Sequence, residues 1–250
     1  MDLTGKVVIV TGGARDIGKE VTLKLAGAGA SVAFNYYGSA DEARATEGQV
    51  KAMGGNVLAM QGDMTRQEDV DALVASALSE FGGSIDILVN VSGGLIARKT
   101  LAEMDVDFFK TVIDLNLTST FLTTQACVPH MASGSAIVNL ASQAGRDGGG
   151  PGASAYASGK GAVMTFTRAM AKELGPQNIR VNALCPGMIS TTFHDTFSKD
   201  EVRKNVANAT PLRREGNPAE IADAVLYLAS DASSFITGVN IDTNGGLFFS

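Results

Sequence analysis

Short apolar runs alternate with longer amphipathic stretches along almost the whole chain. The apolar runs, rich in Val, Ile, Leu and Ala, occupy residues 6–10, 31–35, 56–61, 85–90, 136–140, 180–185 and 239–242. Strands that are apolar on both faces and separated by helices predict a parallel sheet that is covered on each side. We therefore expect a single α/β domain over residues 1–250, with a doubly wound parallel sheet of about seven strands and helices on both faces.

The stretches between these runs show the periodicity of amphipathic helices. The first predicted helix ends near Gly29, one continues from Tyr156 to Leu174, and the others cover residues 41–53, 67–81, 106–131 and 218–230. The segment from about residue 191 to residue 214 lacks clear core periodicity. We expect this lid segment to project from the domain beside a site.

Composition narrows the class of protein. Hydrophobic residues make up 45% of the chain and charged residues 18%, which is typical of a well-buried globular protein. The net charge of −6, without a basic segment, argues against binding to nucleic acid or to an anionic membrane. No apolar run is long enough to span a membrane and no leader follows Met1, so a cytoplasmic location is expected. Cys127, Cys185, His130 and His194 match no metal-ligand spacing, and no metal site is expected.

A glycine-rich turn, Thr11-Gly12-Gly13-Ala14-Arg15-Asp16-Ile17-Gly18, joins the first strand to the first helix. Glycines in this position let backbone N–H groups and the helix dipole approach a pyrophosphate. The turn therefore predicts a nucleotide cofactor. Asp16 stands where the pattern T-G-x-x-x-G-x-G has its middle glycine, and its carboxylate restricts backbone approach and adds negative charge near the phosphates.

Tyr156 and Lys160 lie one turn apart in a predicted helix, on the same face. A nearby ammonium would lower the pKa of a phenol from its usual value of about 10, so that the phenol exchanges a proton with a substrate oxygen near neutral pH. Taken alone, the pair is also compatible with a chance arrangement on a helix face.

In combination, these features resemble the short-chain dehydrogenase/reductase family, and the resemblance extends from about Thr4 to Gly246. Further matching pieces, in the family's order, are Asp63-Met64, Asn90-Val91-Ser92-Gly93, Asn116, Ser142 and Pro186-Gly187-Met188-Ile189-Ser190-Thr191. The resemblance implies a Rossmann-type fold and an NAD(P)-dependent enzyme that transfers hydride between nicotinamide and a carbonyl or alcohol.

The resemblance also implies which residues form the cofactor site. It puts Gly12, Ile17 and Gly18 near the pyrophosphate and ribose, Asp63 on the adenine amine, Asn90 near the ribose, and Ile189 and Thr191 on the carboxamide and phosphates. The same motifs add Arg15, Asp16, Asn35, Tyr36, Met64, Ser92, Gly93, Tyr156, Lys160, Pro186 and Gly187. Val91 and Ser92 depart from the family's usual Asn-Asn-Ala-Gly, and Val91 cannot play a polar role there.

The choice between NAD and NADP depends on the 2′ end of the adenosine ribose. NAD-type sites usually carry an acid at the end of the second strand, where this chain has Asn35-Tyr36-Tyr37. Arg15 matches a position at which NADP-preferring relatives carry a cation, although Asp16 beside it would repel a 2′-phosphate. The balance favours NADP(H) over NAD(H), and the alternative is that Arg15 is only a solvated turn residue.

Four residues are predicted to be catalytic. Tyr156 is the acid/base, Lys160 would hold the nicotinamide ribose, and Ser142 would hydrogen-bond the substrate carbonyl from the carboxyl end of a strand. Asn116, by resemblance, would anchor a water that relays protons to Lys160. The structural alternatives are that Ser142 caps a strand and that Asn116 bonds the backbone within a helix.

Four residues are candidates for substrate contacts: Gln143, Arg146 and His194, which the cofactor frame does not require, and Gly187, which belongs to both sets. Cations and amides beside a strand-end pocket suit a carboxylated substrate, because Arg can bind a carboxylate through two hydrogen bonds. Residues 94–99 and 143–147 are similar to stretches in family members that reduce keto-sugar acids of the deoxy-keto-uronate type, so a compact polar keto compound is the main hypothesis. The alternatives are a 3-oxoacyl thioester of a carrier protein and, from another class, a cofactor-binding regulatory protein without turnover.

The helix that carries Tyr156 is apolar or small on more than one face, which predicts burial against a second subunit. The resemblance implies a homotetramer with interfaces at residues 106–131 and 239–246.

Overall fold

Seven parallel strands form one sheet in the computed structural model, which describes residues 1–250, and their order is β3-β2-β1-β4-β5-β6-β7. The order reverses between β1 and β4, which is where open α/β sheets form a crevice at the carboxyl ends of their strands. The predicted doubly wound α/β fold is confirmed. The strands are β1 (Val7–Thr11), β2 (Ser31–Tyr36), β3 (Val57–Gln61), β4 (Ile85–Asn90), β5 (Met131–Leu140), β6 (Arg180–Pro186) and β7 (Asn240–Thr243).

Helices cover both faces of this sheet. Side chains alternate along β1, so that Val8 and Val10 join one core with α1 and α10, while Ile9 joins the other with α3 and α7. The α-helices are α1 (Asp16–Gly27), α2 (Ala40–Ala52), α3 (Gln67–Phe81), α4 (Val106–Ile113), α5 (Ser119–Cys127), α6 (Ala144–Asp147), α7 (Ser154–Leu174), α8 (Thr192–Phe197), α9 (Asp200–Ala209) and α10 (Pro218–Ala229).

The predicted helix over residues 106–131 is interrupted. A π-helical turn, Asp114–Thr118, separates α4 from α5, and a 3-10 turn, Val128–His130, follows α5. Pro129 has no N–H for a further helical bond, which ends α5. Met131 already belongs to β5, so the single-helix prediction was wrong at its centre and at its end.

The lid segment is more regular than predicted. It contains α8 and α9, which are six and ten residues long. Helices this short provide too few turns for a periodic pattern to be recognised. The lid segment returns to the domain where Asn217 and Glu220 form a capping box at the start of α10.

Candidate active site

The turn between β1 and α1 forms a cradle of backbone atoms. Gly12 has a φ of +66°, and a Cβ on Gly18 would overlap the Gly12 carbonyl oxygen. Only glycine fits at Gly18 without moving the backbone. No side chain caps the amides of α1, whose N-cap is Arg15. Free amides at a helix start, reached over glycine, fit a pyrophosphate.

Asn35 holds this turn in place from the neighbouring strand. Its Oδ1 accepts a 2.7 Å hydrogen bond from the Gly12 N–H, and its Nδ2 donates to the Gly62 carbonyl at 2.9 Å. The sequence predicted Asn35 as a cofactor contact. The structure shows instead that its buried amide is used within the protein to join β1, β2 and β3.

Asn90 is likewise used inside the protein. Its Nδ2 donates to Asn139 Oδ1 at 2.9 Å, and its Oδ1 accepts from Thr123 Oγ1 at 2.6 Å. Asn139 continues the network to Thr167 Oγ1 at 2.9 Å. Buried amides need such partners. The predicted contact of the Asn90 side chain with a ribose therefore does not fit its position, which joins β4, β5, α5 and α7.

The residues predicted to hold the adenine end lie after β2 and β3. The Asp63 carboxylate accepts from the N–H and hydroxyl of Thr65, and its own N–H donates to Asp69. Met64 is buried in the core, and Tyr36 is half-buried. Strand β2 ends at Tyr36, so the strand end carries no carboxylate, as expected from the sequence.

The loop after β4 is tied to the end of β1. Thr11 Oγ1 accepts hydrogen bonds from the backbone N–H groups of Val91 and Ser92 at 3.0 and 3.1 Å. Gly93 follows in the same loop, and a Cβ there would lie 2.7 Å from Asn116 Oδ1 and 2.8 Å from Lys160 Nζ. The loop therefore brings the predicted cofactor motif against two of the predicted catalytic residues.

The segment after β6 borders the same cleft. Gly187 is packed so closely that a Cβ would lie 2.7 Å from Asn244 Cβ. Ile189 is buried, and Thr191 is the N-cap of α8 with its hydroxyl bonded to the Ile189 carbonyl at 3.1 Å. Pro186 is the last residue of β6. These predicted cofactor residues thus lie at the carboxyl edge of the sheet.

The structure brings the predicted catalytic residues together from three elements. Ser142 follows β5, and Tyr156 and Lys160 lie on α7. Lys160 Nζ donates to the Leu140 carbonyl at 2.6 Å and lies 5.9 Å from the centre of the Tyr156 ring. Ser142 Oγ accepts from the Ala144 N–H at 3.1 Å and lies close enough to the Tyr156 phenol to lower its pKa. A substrate oxygen at the phenol would meet both hydroxyl groups.

Asn116 is oriented by the π-helical turn. Its Nδ2 donates to the carbonyls of Gly94 and Val112, both at 2.8 Å, and its Oδ1 accepts from the Gly94 N–H at 3.1 Å. π-Helical turns occur frequently at functional sites because they re-aim a side chain. Asn116 and Lys160 both lie close to Gly93. The side-chain amide of Asn116 is hydrogen-bonded to backbone groups through both its oxygen and its nitrogen. The predicted water relay stays a prediction.

The predicted low pKa of Tyr156 does not occur in this structure. Burial raises the pKa of the phenol, and the Ser142 hydroxyl opposes that rise. Burial also lowers the pKa of Lys160 to about 8. The ammonium does not produce the expected effect because it is directed to the Leu140 carbonyl. Desolvation therefore outweighs the attraction that the sequence suggested.

Arg146 is held in a largely buried ion pair. Its Nε lies 2.6 Å from Asp242 Oδ1, its Nη2 donates to the Asn240 carbonyl, and the two ionic side chains are only 10% and 14% exposed. The acid that pairs with Arg146 comes from a distant strand, and the predicted substrate contact of Arg146 stays a prediction that this buried ion pair does not favour.

The other predicted substrate residues keep polar groups near the cleft. Gln143 Nε2 donates to Asp147 at 2.9 Å, while its Oε1 is buried and has no hydrogen-bond partner. His194 lies on α8 with Nδ1 2.9 Å from Ser198 Oγ, and burial lowers the pKa of its ring. Gln143 directly follows Ser142, so its free acceptor lies next to the predicted reaction centre.

Sequence reasoning missed the wall that α8 forms beside Tyr156. The rings of Phe193 and Tyr156 are 5.8 Å apart, and those of Phe193 and Phe197 are 5.1 Å apart. The far end of this wall is held by Arg98, whose Nε donates to the Phe197 carbonyl at 3.1 Å and whose Nη1 donates to the Pro151 carbonyl at 3.0 Å. Arg98 is exposed and has no carboxylate partner. The aromatic spacing in α8 was the only available signal.

Comparison with known proteins places the whole chain among reductases. The family profile described as "Enoyl-(Acyl carrier protein) reductase" matches residues 12–248. The chain is 37% identical over 245 residues to the 3-oxoacyl-[acyl-carrier-protein] reductase FabG of Staphylococcus aureus, covering 97% of this chain and 98% of that protein. It is 37% identical over 249 residues to the 3-oxoacyl-[acyl-carrier-protein] reductase of Synechocystis, covering 98% of both.

Solved structures show the same similarity. The short-chain dehydrogenase/reductase from Serratia marcescens matches with a TM-score of 0.93 at 34% identity, covering 99% of both chains. The NADH-dependent reductase A1-R′ responsible for alginate metabolism matches with a TM-score of 0.90 at 31% identity, also covering 99% of both. Separately, no helix of the chain is long and apolar enough to cross a membrane.

Proposed function

Because this chain belongs to the short-chain dehydrogenase/reductase family, we propose that Tyr156 is the acid/base of its reaction, with Ser142, Lys160 and Asn116 around it. The chain is an NAD(P)-dependent oxidoreductase that acts on carbonyl or hydroxyl groups. The observation that supports the assignment of Tyr156 is its placement on α7 with Lys160, whose Nζ lies 5.9 Å from the centre of the Tyr156 ring, beside Ser142 at the carboxyl end of β5.

The residues of the chain account for proton handling in this reaction. When bound, the nicotinamide cofactor supplies or accepts the hydride. In the direction of reduction, the Tyr156 phenol donates its proton to the substrate oxygen, and the Ser142 hydroxyl donates a hydrogen bond to the same oxygen as negative charge develops. With a pKa of about 8, Lys160 is mostly protonated at neutral pH, and its ammonium, 5.9 Å from the centre of the Tyr156 ring, would hold the nicotinamide ribose.

We propose a compact keto compound with a carboxylate, of the keto-sugar acid type, as the substrate. Arg98 supports this class because its guanidinium lies at the rim of the cleft without an acidic partner, whereas the neighbouring Lys99 lies 3.6 Å from Asp105. Arg binds carboxylates through paired hydrogen bonds. The similarity to the alginate-metabolism reductase supports the same class.

A 3-oxoacyl thioester is the second candidate. The 37% identity to two 3-oxoacyl carrier-protein reductases over nearly the whole chain supports it, and the apolar wall of Phe193 and Phe197 suits an acyl chain. The two candidates differ in what Arg98 does. A keto acid requires its charge beside the substrate, whereas a neutral β-keto acyl group does not.

We further propose NADP(H) as the preferred cofactor and a homotetramer as the assembly. The end of β2 lacks the carboxylate that NAD-type sites use, and Arg15 lies at the adjoining turn. Exposed apolar side chains on α4 and α5, Val106, Phe109 and Phe121, provide a surface for a second subunit. The cytoplasmic location expected from the sequence stays a prediction.

An absorbance assay of NADPH and NADH oxidation with keto-uronates, other keto acids, neutral sugars and 3-oxoacyl thioesters tests the cofactor and the substrate together. Tyr156→Phe should lower kcat at least about 100-fold. If its turnover equals that of the wild type, Tyr156 is not the acid/base. A wild-type protein that binds cofactor but turns over no carbonyl would favour the regulatory alternative.

The Arg98→Gln variant separates the two substrate classes. Loss of a charge-assisted hydrogen bond should raise KM for keto acids about 10- to 100-fold, whereas an effect through the Phe197 end of α8 should change keto acids and neutral carbonyls alike. Arg213→Gln, an exposed lid-segment arginine without a salt bridge, is the matched control. High activity on thioesters, unaffected by Arg98→Gln, would replace the first candidate with the second.

A further inference from the structure

Asp16 links the nucleotide turn to the lid segment. Its Oδ1 accepts a 3.0 Å hydrogen bond from the Thr192 N–H, and its Oδ2 contacts the Thr192 hydroxyl and, at 2.9 Å, Arg15 Nη1. The two bonded residues are separated by 176 positions. A single side chain thus joins the start of α1 to the start of α8.

The backbone of Asp16 adopts a conformation that disfavours most side chains. Its φ is +51°, in the left-handed region, which costs a non-glycine residue about 1–2 kcal/mol. Asp and Asn tolerate this region better than other residues. The three polar contacts of the Asp16 carboxylate offset this backbone strain. The family pattern has glycine at the position of Asp16.

At the lid segment, the Asp16 carboxylate caps α8. Thr192 is the first residue of that helix, and the N-cap residue Thr191 provides no side-chain cap. An unpaired amide at a helix start prefers an acceptor, especially a negatively charged one. The residue after Thr192 is Phe193, whose ring lies beside Tyr156. Asp16 therefore fixes the start of the helix that covers the catalytic tyrosine.

At the nucleotide turn, the same carboxylate neutralises Arg15. The Arg15 side chain is 52% exposed and its partner Asp16 is 22% exposed, so the pair faces solvent and remains able to rearrange. A carboxylate 2.9 Å from the guanidinium reduces the attraction that Arg15 can exert on a second anion.

We propose that Asp16 is a positioning residue with two effects: it holds α8 over Tyr156, and it weakens the preference for NADP over NAD by pairing with Arg15. The first effect depends only on contacts within the chain. The second rests on the proposed cofactor site at the turn between β1 and α1.

Two substitutions separate these effects. Asp16→Asn keeps a residue that tolerates the positive φ and an oxygen that accepts from Thr192, but it removes the charge. Asp16→Gly also relaxes the backbone and removes every side-chain contact. The control is Asp223→Asn, which removes an equal charge from the carboxylate that pairs with Lys24 of α1.

Hydrogen exchange of the α8 amides, in protein without added nucleotide, tests the first effect. Asp16→Gly should raise exchange over residues 192–197 about tenfold or more, Asp16→Asn should raise it less, and Asp223→Asn should leave it unchanged. Equal exchange in Asp16→Gly and the wild type would overturn the lid assignment. This readout does not depend on turnover, so it remains valid if the proposed reaction is wrong. Asp16→Asn keeps the test available if the glycine variant does not fold.

Dissociation constants for NADPH and NADH, measured by equilibrium binding, test the second effect. Both Asp16 variants should increase the preference for NADPH by a similar factor of about five to ten, because both remove one negative charge near the 2′-phosphate. An unchanged preference in Asp16→Asn would overturn the charge effect. If neither nucleotide binds even the wild type, the proposed cofactor site itself fails, which is a distinct result.

Discussion

Replacing Lys160 by methionine should make the protein more stable at neutral pH, although it removes a predicted catalytic group. Lys160 is 4% exposed, and burial lowers its pKa from 10.5 to about 8. That fall corresponds to about 3 kcal/mol lost on folding while the lysine is charged. Methionine has a similar length and avoids this penalty. Its substitution also removes the 2.6 Å hydrogen bond to the Leu140 carbonyl, worth about 2 kcal/mol.

The sign of the effect should change with pH. Below pH 8 both folded and unfolded Lys160 are protonated, and the full penalty is present, so Lys160→Met should be about 1 kcal/mol more stable. Between pH 8 and 10.5 the unfolded state binds more protons than the folded state, so wild-type stability rises relative to the variant. Above that window the neutral amine still donates to Leu140, and the wild type should be the more stable protein.

Urea unfolding followed by far-UV circular dichroism, from pH 7 to 10, measures this crossover. The chain has no tryptophan, so a circular dichroism signal is preferable to indole fluorescence. Burial raises the pKa values of Cys127 and Cys185 to about 12 and about 11, above the range of this measurement, so neither thiol titrates during it. Lys172→Met, at an exposed position of α7, is the control. A variant that is less stable at pH 7 by an amount independent of pH would refute the reasoning.

Three further changes test the framework of the site. Gly18→Ala should destabilise the protein by about 3 kcal/mol in thermal melts, because its Cβ meets the Gly12 carbonyl, whereas Gly27→Ala in the same helix has open space and should be neutral or stabilising. Arg146→Met should lower the free energy of unfolding by about 3 kcal/mol, because it leaves the Asp242 carboxylate buried without a partner, and it should not change the substrate KM selectively. The double variant with Asp242→Asn should recover most of this loss. A KM effect confined to keto acids would contradict this expectation. Asn139→Leu should reduce the free energy of unfolding by about 2 kcal/mol, since Asn90 loses its 2.9 Å acceptor; an unchanged urea midpoint would count against the buried network.

The sequence was sufficient for the sheet because each strand is a continuous apolar run that only a buried parallel sheet accommodates. The shared helix face of Tyr156 and Lys160 followed from their spacing, and the family resemblance added Ser142 at a strand end; the catalytic roles of all three stay predictions. The ion pair of Arg146 could not be predicted because its partner, Asp242, is 96 positions away and local pattern carries no information about such pairs. The shift in the pKa of Tyr156 was predicted in the wrong direction. The spacing to Lys160 can be read from the sequence, but the burial that raises the pKa becomes known only from the fold.

Other parts of the site depend on contacts between residues that are far apart in the sequence, and no local pattern predicts these contacts. The two ends of α8, which carries Phe193, are hydrogen-bonded to Asp16 and Arg98, residues far away in the sequence. Asn35 and Asn90 looked like ligand contacts because amides at strand ends often are. Their partners, the Gly12 N–H and the Thr123 hydroxyl, become adjacent only in the folded sheet.

The π-helical turn at Asp114–Thr118 changes the direction in which the side chains after it point. One extra residue in a turn rotates everything beyond it by about 100°. Because of that rotation, the Asn116 side chain can donate to the Gly94 carbonyl while the Thr123 hydroxyl, further along the same segment, donates to Asn90. A chain lacking only Leu115 would regain regular helical phase, and it could satisfy one of these two contacts but not both. The length of this segment is therefore as much a determinant of the site as the identity of its residues.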